Sequence, residues 1–316
     1  MNIVRLDDIV AAQTRLSGVA VRTPLVPLPI PGAADEVFIK NEGLQATGSF
    51  KLRGAYNKIA QLPAEVRGRG VITYSSGNHA QGVAYAARVL GVKAVIVMPS
   101  NASEFKRRAT AELGAEIVLV GPASADRKEK AEELAAKFGY AVVPPYDDAA
   151  IIAGQGTCGL EIVEDAPDVD LVLAPVSGGG LLSGVAATVK YLRPEARVIG
   201  VEPELAGDAQ ESFRSGRLVT WPAEMTTRTI CDGLRTQSLG ELNFEHIRTF
   251  VDDIVTVSDD EARGAMRALA LAGVKAEPSG AVATAAALFH RTEIGGTEIV
   301  AYRKIVAVMS GSNYLP

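Results

Sequence analysis

From residue 71 onward, short apolar runs alternate with stretches of helical period. Val71–Tyr74, Ala94–Met98, Glu116–Val120 and Ala141–Val143 read as strands. Between them, Ala80–Leu90, Ser103–Leu113 and Ser124–Phe138 read as helices, each closed by a glycine (Gly91, Gly114, Gly139) suited to the left-handed stop conformation. A second series places strands at Leu171–Val176, Val198–Val201 and Val251–Val257, with a helix at Leu181–Tyr191. Ser258 and Glu261 have capping-box spacing and predict a helix over Asp259–Ala272. Leu52–Gln61 predicts a helix ahead of the first series, and Lys304–Met309 a last strand. Such alternation specifies parallel sheets. The expected fold is α/β with two open, twisted, mainly parallel sheet domains: 71–147 as the small domain, 1–70 with 148–316 as the large one. Ligands of such sheets collect beyond the carboxyl ends of the strands, so the turns there hold the candidate chemistry.

Composition narrows the function classes. A chain of 316 residues, 47% hydrophobic and 22% charged, can bury the cores of two modest domains. Its longest apolar runs fall far short of a membrane span, and the first thirty residues carry no signal-peptide pattern, so no membrane association is expected. A net charge of −5 without a basic cluster argues against nucleic acid as a partner. Cys158 and Cys231 lack metal-like spacing and suggest reduced thiols in a cytoplasm. Three histidines exclude a histidine-rich metal site.

Four turns stand out. Lys51 lies in Thr47-Gly-Ser-Phe-Lys-Leu-Arg-Gly54, after a small-residue turn, beside Phe50 and at a helix start. There it is either solvated or held in a pocket, where desolvation lowers its pKa and frees the amine for a Schiff base. Ser75-Ser76-Gly77-Asn78-His79 joins a strand to a helix; its side chains either cap the helix or, with the open N–H groups, hold a carboxylate. Ser177-Gly178-Gly179-Gly180-Leu181 is either a tight turn or a cup whose N–H groups converge on phosphate. It matches neither the spaced-glycine dinucleotide fingerprint nor the P-loop. The last strand delivers Ser310-Gly311-Ser312-Asn313, and Ser310 would point a neutral hydroxyl at the same crevice. An amine, a carboxylate loop, a phosphate cup and a neutral hydroxyl together fit pyridoxal 5′-phosphate acting on a small amino acid.

With these motifs the sequence resembles the serine/threonine dehydratase and serine racemase family, the fold-type II pyridoxal-phosphate enzymes built like the tryptophan synthase β chain. The resemblance covers nearly the whole chain, through KNEGLQATGSFKLRGA, SSGNHAQG, MPSNASEFKRRATAELGAE, IIAGQGTCGLEI, PVSGGGL, TICDGLRT and SGSN. It implies that the cofactor lies in the cleft between the domains. Lys51 resembles the cofactor lysine, Phe50 the residue flanking the pyridine ring, and Asn78 the partner of the ring oxygen. Ser177 to Leu181 resemble the phosphate cup, and Ser310 the partner of the pyridine nitrogen. Ser76 corresponds to the serine that faces the substrate α-carbon opposite the lysine in racemases. Glu202, Asp208 and the Ala206 carbonyl resemble a divalent-cation site that would take magnesium or calcium, the alternative being a solvated acidic turn.

Three positions depart from the family pattern: Ser177 and Ser312 replace glycines, and Pro144 replaces a frequent histidine. The resemblance implies β-elimination of a β-hydroxy amino acid, L-threonine or L-serine, to a 2-keto acid and ammonia. Racemisation of serine is the alternative, with one chain able to do both. A silent cofactor-binding protein is a third reading, disfavoured by the intact lysine, cup and loop. A homodimer is expected, as relatives are commonly dimers or tetramers. With the chain ending at Pro316, no regulatory domain is expected.

Overall fold

The computed structural model describes residues 3–30, 32, 34–121, 124–291, 294 and 302–314. Its strands are β1 (Leu25–Pro27), β2 (Glu36–Asn41), β3 (Val71–Tyr74), β4 (Ala94–Pro99), β5 (Glu116–Val120), β6 (Ala141–Val142), β7 (Leu171–Pro175), β8 (Arg197–Pro203), β9 (Asp253–Val257) and β10 (Lys304–Met309). They form a six-stranded sheet, β1-β2-β10-β7-β8-β9, and a four-stranded sheet, β5-β4-β3-β6. Every pairing is parallel except β1 with β2. The mainly parallel α/β architecture is as expected. Parallel sheets covered on both faces need apolar residues throughout, and β4 and β7 are buried along their whole length.

Strand order decides which turns meet. Because β2, β10 and β7 are adjacent and parallel, the segments after Asn41, Met309 and Pro175 emerge side by side. Backbone bonds from Phe50 N to Ser310 O and from Ser312 N to Gly48 O tie the first two together. The other sheet is held through its helices. Helix Asn78–Val89 approaches the start of helix Lys51–Ala60 so closely that a Cβ on Gly82 would lie 3.1 Å from the Lys51 carbonyl carbon.

Helix Ala149–Asp165 is the hub, and its glycines are contact points: a Cβ on Gly154 would sit 2.6 Å from Arg53 O. Beneath it lies a buried ionic cluster. Arg53 bonds Glu42 (2.7 Å) and Glu161 (2.7 Å), and Lys40 bonds Glu161 (2.6 Å), all nearly inaccessible to solvent. Burial works to raise the Glu42 carboxyl, but the charges of Arg53 and Lys40 outweigh it and hold Glu42 below its ordinary range. The cluster fastens β2, helix Lys51–Ala60 and helix Ala149–Asp165 around the lysine two residues before Arg53.

Candidate active site

Lys51 opens its helix, and Phe50 before it already has helical φ and ψ. The amine donates to Pro145 O at 2.9 Å and lies 5.1 Å from the Phe50 ring centroid. Burial pushes its pKa down to about 8, the desolvation effect expected from the sequence. Tyr146, next to that carbonyl, lays its ring on Gly178, where a Cβ would overlap it. The lysine and the glycine turn are therefore linked by one short segment.

That turn has two left-handed residues, Gly179 at φ 96° and Ser177 at φ 54°. Among the described residues Ser177 is the sole non-glycine with positive φ. Such a backbone costs an L-residue about 1 kcal/mol. The Ser177 hydroxyl offsets this by donating to Gly233 O (3.1 Å) and lying 3.2 Å from Thr236 Oγ1. The departure from glycine thus joins the turn to the segment Cys231–Thr236. Helix Gly180–Leu192 starts from this turn with no side-chain cap, leaving its first N–H groups open to an anion. Gly180 and Leu181 are the residues that supply them.

The Ser75–His79 segment also ends in an uncapped helix, which begins at Asn78 rather than at the expected Ala80. Ser75 Oγ accepts from Gly77 N (3.3 Å), and Ser76 has no side-chain partner among the described residues. Neither serine caps the helix. His79 is buried; its Nε2 donates to Val143 O at 3.0 Å, leaving Nδ1 without a partner among the described residues. Burial, then the Lys51 charge, push its pKa down to about 3, so the imidazole is neutral. Asn78 receives a bond from Asn313 (2.8 Å) and donates to Glu277 (2.6 Å).

Ser310 is buried and accepts from Phe50 N through its backbone oxygen, while its hydroxyl has no partner among the described residues. Ser312 replaces glycine without a left-handed backbone; its hydroxyl donates to Gly43 O (3.2 Å), so the tight path to Asn313 holds.

The turn after β8 exposes Glu204 but buries the acids on either side of it. Glu202 and Asp208 are each 1% exposed, and Ala206 between them is buried. Glu202 accepts from Gln210 N (2.9 Å), while both Asp208 oxygens lack a partner among the described residues. Two buried oxygens without a donor suit a hard cation held by carboxylates, a carbonyl and water. Burial pushes both carboxyls up, and the Asp208 charge adds to the effect at Glu202.

The donor set fits pyridoxal phosphate as well: an amine of lowered pKa, an uncapped helix start and a neutral hydroxyl on turns the larger sheet brings together, with the second uncapped start tied to them through Asn78 and Asn313. Glu277 escaped sequence reasoning. It is 5% exposed, and burial raises its pKa to about 7, helped by the Asp232 charge. Pro278 after it signals a helix start, yet nothing local says that this acid is buried. Asp232 pairs with Lys106 of helix Glu104–Ala111.

The family model described as pyridoxal-phosphate dependent enzyme matches residues 16–311. A catabolic L-threonine dehydratase of Escherichia coli is 42% identical, over 98% of this chain and 93% of its own. An L-threo-3-hydroxyaspartate ammonia-lyase of Saccharomyces cerevisiae is 41% identical, over 97% and 92%. The solved structure of maize serine racemase superposes with a TM-score of 0.94 at 36% identity, covering 99% of this chain and 95% of that one. On those matches, the chain belongs to the family of pyridoxal-phosphate dependent enzymes.

Proposed function

We propose that this enzyme is an ammonia-lyase that dehydrates L-threonine or L-serine to a 2-keto acid and ammonia. The observation that carries the reading is the Lys51 amine, desolvated and joined through Pro145 and Tyr146 to the Ser177–Leu181 cup. When bound, pyridoxal phosphate supplies an aldehyde for the substrate amine and a ring that withdraws electrons from the α-carbon. Ser177, Gly178, Gly179, Gly180 and Leu181 hold its phosphate, Phe50 flanks the ring, and Ser310 meets the ring nitrogen with a hydroxyl that does not compel protonation. Ser75, Ser76, Gly77, Asn78 and His79 hold the substrate carboxylate; with His79 neutral, the open N–H groups do the binding. Lys51 removes the α-proton. With its pKa near 8, roughly a tenth of such amines are neutral at pH 7, against roughly one in three thousand for a free lysine. The β-hydroxyl leaves as water, and the released enamine tautomerises and hydrolyses.

A second reading, serine racemisation, rests on the Ser76 hydroxyl, which has no partner among the described residues and can serve as a proton donor opposite Lys51. Incubation with L-serine, L-threonine and L-threo-3-hydroxyaspartate separates these readings, with keto acid quantified and enantiomers resolved. Keto acid without D-isomer supports the lyase; D-serine without keto acid refutes it in favour of the racemase.

Glu202, Asp208 and the Ala206 carbonyl hold magnesium or calcium in this account. Trp221 lies beside Gly207, so a cation titration that left its fluorescence unchanged would count against the site. The division into 71–147 and 1–70 with 148–316 is supported by the smaller sheet, whose strands all fall within 71–142; limited proteolysis cutting first inside 71–142 would oppose it. A cytoplasmic homodimer completes the proposal. No helix among the described residues is long and apolar enough to cross a membrane. Sedimentation as a monomer, or recovery outside the cytoplasm on fractionation, would contradict these last two points.

A further inference from the structure

Hydrogen bonds run in a row from Thr47 to Glu277 through Asn313 and Asn78. Asn313 Nδ2 donates to Thr47 O at 2.7 Å and to Asn78 Oδ1 at 2.8 Å; Asn78 Nδ2 donates to Glu277 Oε1 at 2.6 Å. The row begins at a backbone carbonyl, which can only accept, and ends at a Glu277 carboxyl oxygen, which accepts when ionised. A carbonyl cannot donate, so Asn313 must turn its nitrogen toward Thr47. Both its hydrogens are then spent, the second on Asn78 Oδ1. Asn78 must in turn direct its nitrogen at Glu277. Reversing either amide sets two oxygens against each other at hydrogen-bond distance. The direction of the row is therefore fixed by its chemistry, whatever conformers the two amides sample alone.

Steric observations point the same way. Gly48, at φ 68°, borders Asn313 Oδ1, which a Cβ there would overlap. On Gly311 a Cβ would lie 2.5 Å from Glu277 Oε1 and 3.0 Å from Asn78 Nδ2. The backbone is thus cut back to glycine on both flanks of the row. One N–H of Asn78 remains without a partner among the described residues, since Nδ2 has two hydrogens and Glu277 takes one.

We propose that Asn313 is a positioning residue: tied to the Thr47 carbonyl, it fixes the amide of Asn78 so that an N–H, not an oxygen, faces the cofactor ring oxygen. The inference rests on the functional reading above and adds a determinant of cofactor electronic state. Asn313 itself touches no reacting atom. It acts through Asn78, and ionised Glu277 favours the same orientation from the other end.

The test is Asn313→Asp, which keeps the shape and removes both donors. The introduced carboxylate draws the Asn78 nitrogen toward itself and leaves the Asn78 oxygen facing Glu277 and the cofactor. Cofactor affinity is measured by equilibrium dialysis with pyridoxal phosphate, the holoenzyme absorption spectrum is recorded, and circular dichroism of the apoprotein controls for folding. We expect affinity to fall about tenfold or more, the effect of losing one hydrogen bond to a charged oxygen. The long-wavelength band of the anionic ring oxygen should give way to the short-wavelength band of its protonated form. Asn313→Ala, which frees Asn78 without opposing it, should give a smaller change in the same direction. A folded Asp variant with unchanged band and affinity overturns the proposal, as does an Ala variant more severely affected than the Asp one. Should the Asp variant not fold, the Ala variant decides: a mixed band supports the proposal and an unmoved band overturns it. Wild-type protein that takes up no pyridoxal phosphate would overturn the functional reading too, whereas normal uptake with unmoved variants overturns this inference alone.

Discussion

Glu277→Gln should stabilise the apoprotein, and by an amount that grows with pH. Burial raises the folded-state pKa of Glu277 from 4.5 to about 7; the Asp232 charge adds to this, while the Asn78 hydrogen bond and Lys106 oppose it. The folded protein therefore binds more protons than the unfolded chain between these two values. Stability falls as pH rises through that window, because unfolding releases the proton. At about 1.4 kcal/mol per tenfold change in proton affinity, full ionisation costs the fold about 3 kcal/mol, of which about 0.8 is already present at pH 5. Glutamine keeps an acceptor for Asn78 and has no charge to bury. Urea unfolding of both apoproteins near pH 5 and about pH 8.5 measures the double difference, from which any pH-independent packing effect cancels. The advantage of the glutamine variant should increase by about 2.5 kcal/mol across that range. A difference constant to within about 0.5 kcal/mol would refute the assignment of Glu277 as a buried acid ionising near neutrality.

Other substitutions probe the frame around the site. In Gly184→Ala the new methyl would meet Ile152 O and Gly156 N, backbone atoms of the neighbouring helix that cannot turn aside. About 1–3 kcal/mol of stability should be lost in urea unfolding, and a neutral result would refute the close helix contact. Arg53→Met leaves Glu42 and Glu161 buried without their shared partner, and should cost about 3–5 kcal/mol or prevent soluble expression. Wild-type stability in that variant would show that the cluster does not hold the lysine helix.

Much of the architecture was legible because its signals are local. The capping box is formed, with Glu261 N donating to Ser258 Oγ and Ser258 N to Glu261 Oε2. Gly91, Gly114 and Gly139 all take positive φ after their helices. The strand Glu116–Val120 begins and ends where the apolar pattern does. Helix Ala149–Asp165 was less legible, since Gly154, Gly156 and Gly159 carry low helix propensity and speak against a helix. They serve contacts with Arg53, Ile9 and Thr188, which only the fold reveals. Glu277 and Asn313 were hidden for the same reason. Their chemistry depends on Asn78 and Thr47, more than 190 and 260 positions away in the chain. A left-handed Ser177 was likewise unreadable, because its hydroxyl partners, Gly233 and Thr236, come from a distant loop.

The most direct test of the account is keto-acid and ammonia release from L-threonine and L-serine by the reconstituted enzyme and by Lys51→Ala. Wild type should release equal amounts of the two products, and the variant none above background, since it lacks the amine joined to the cup. Undiminished release by a folded Lys51→Ala protein would contradict it.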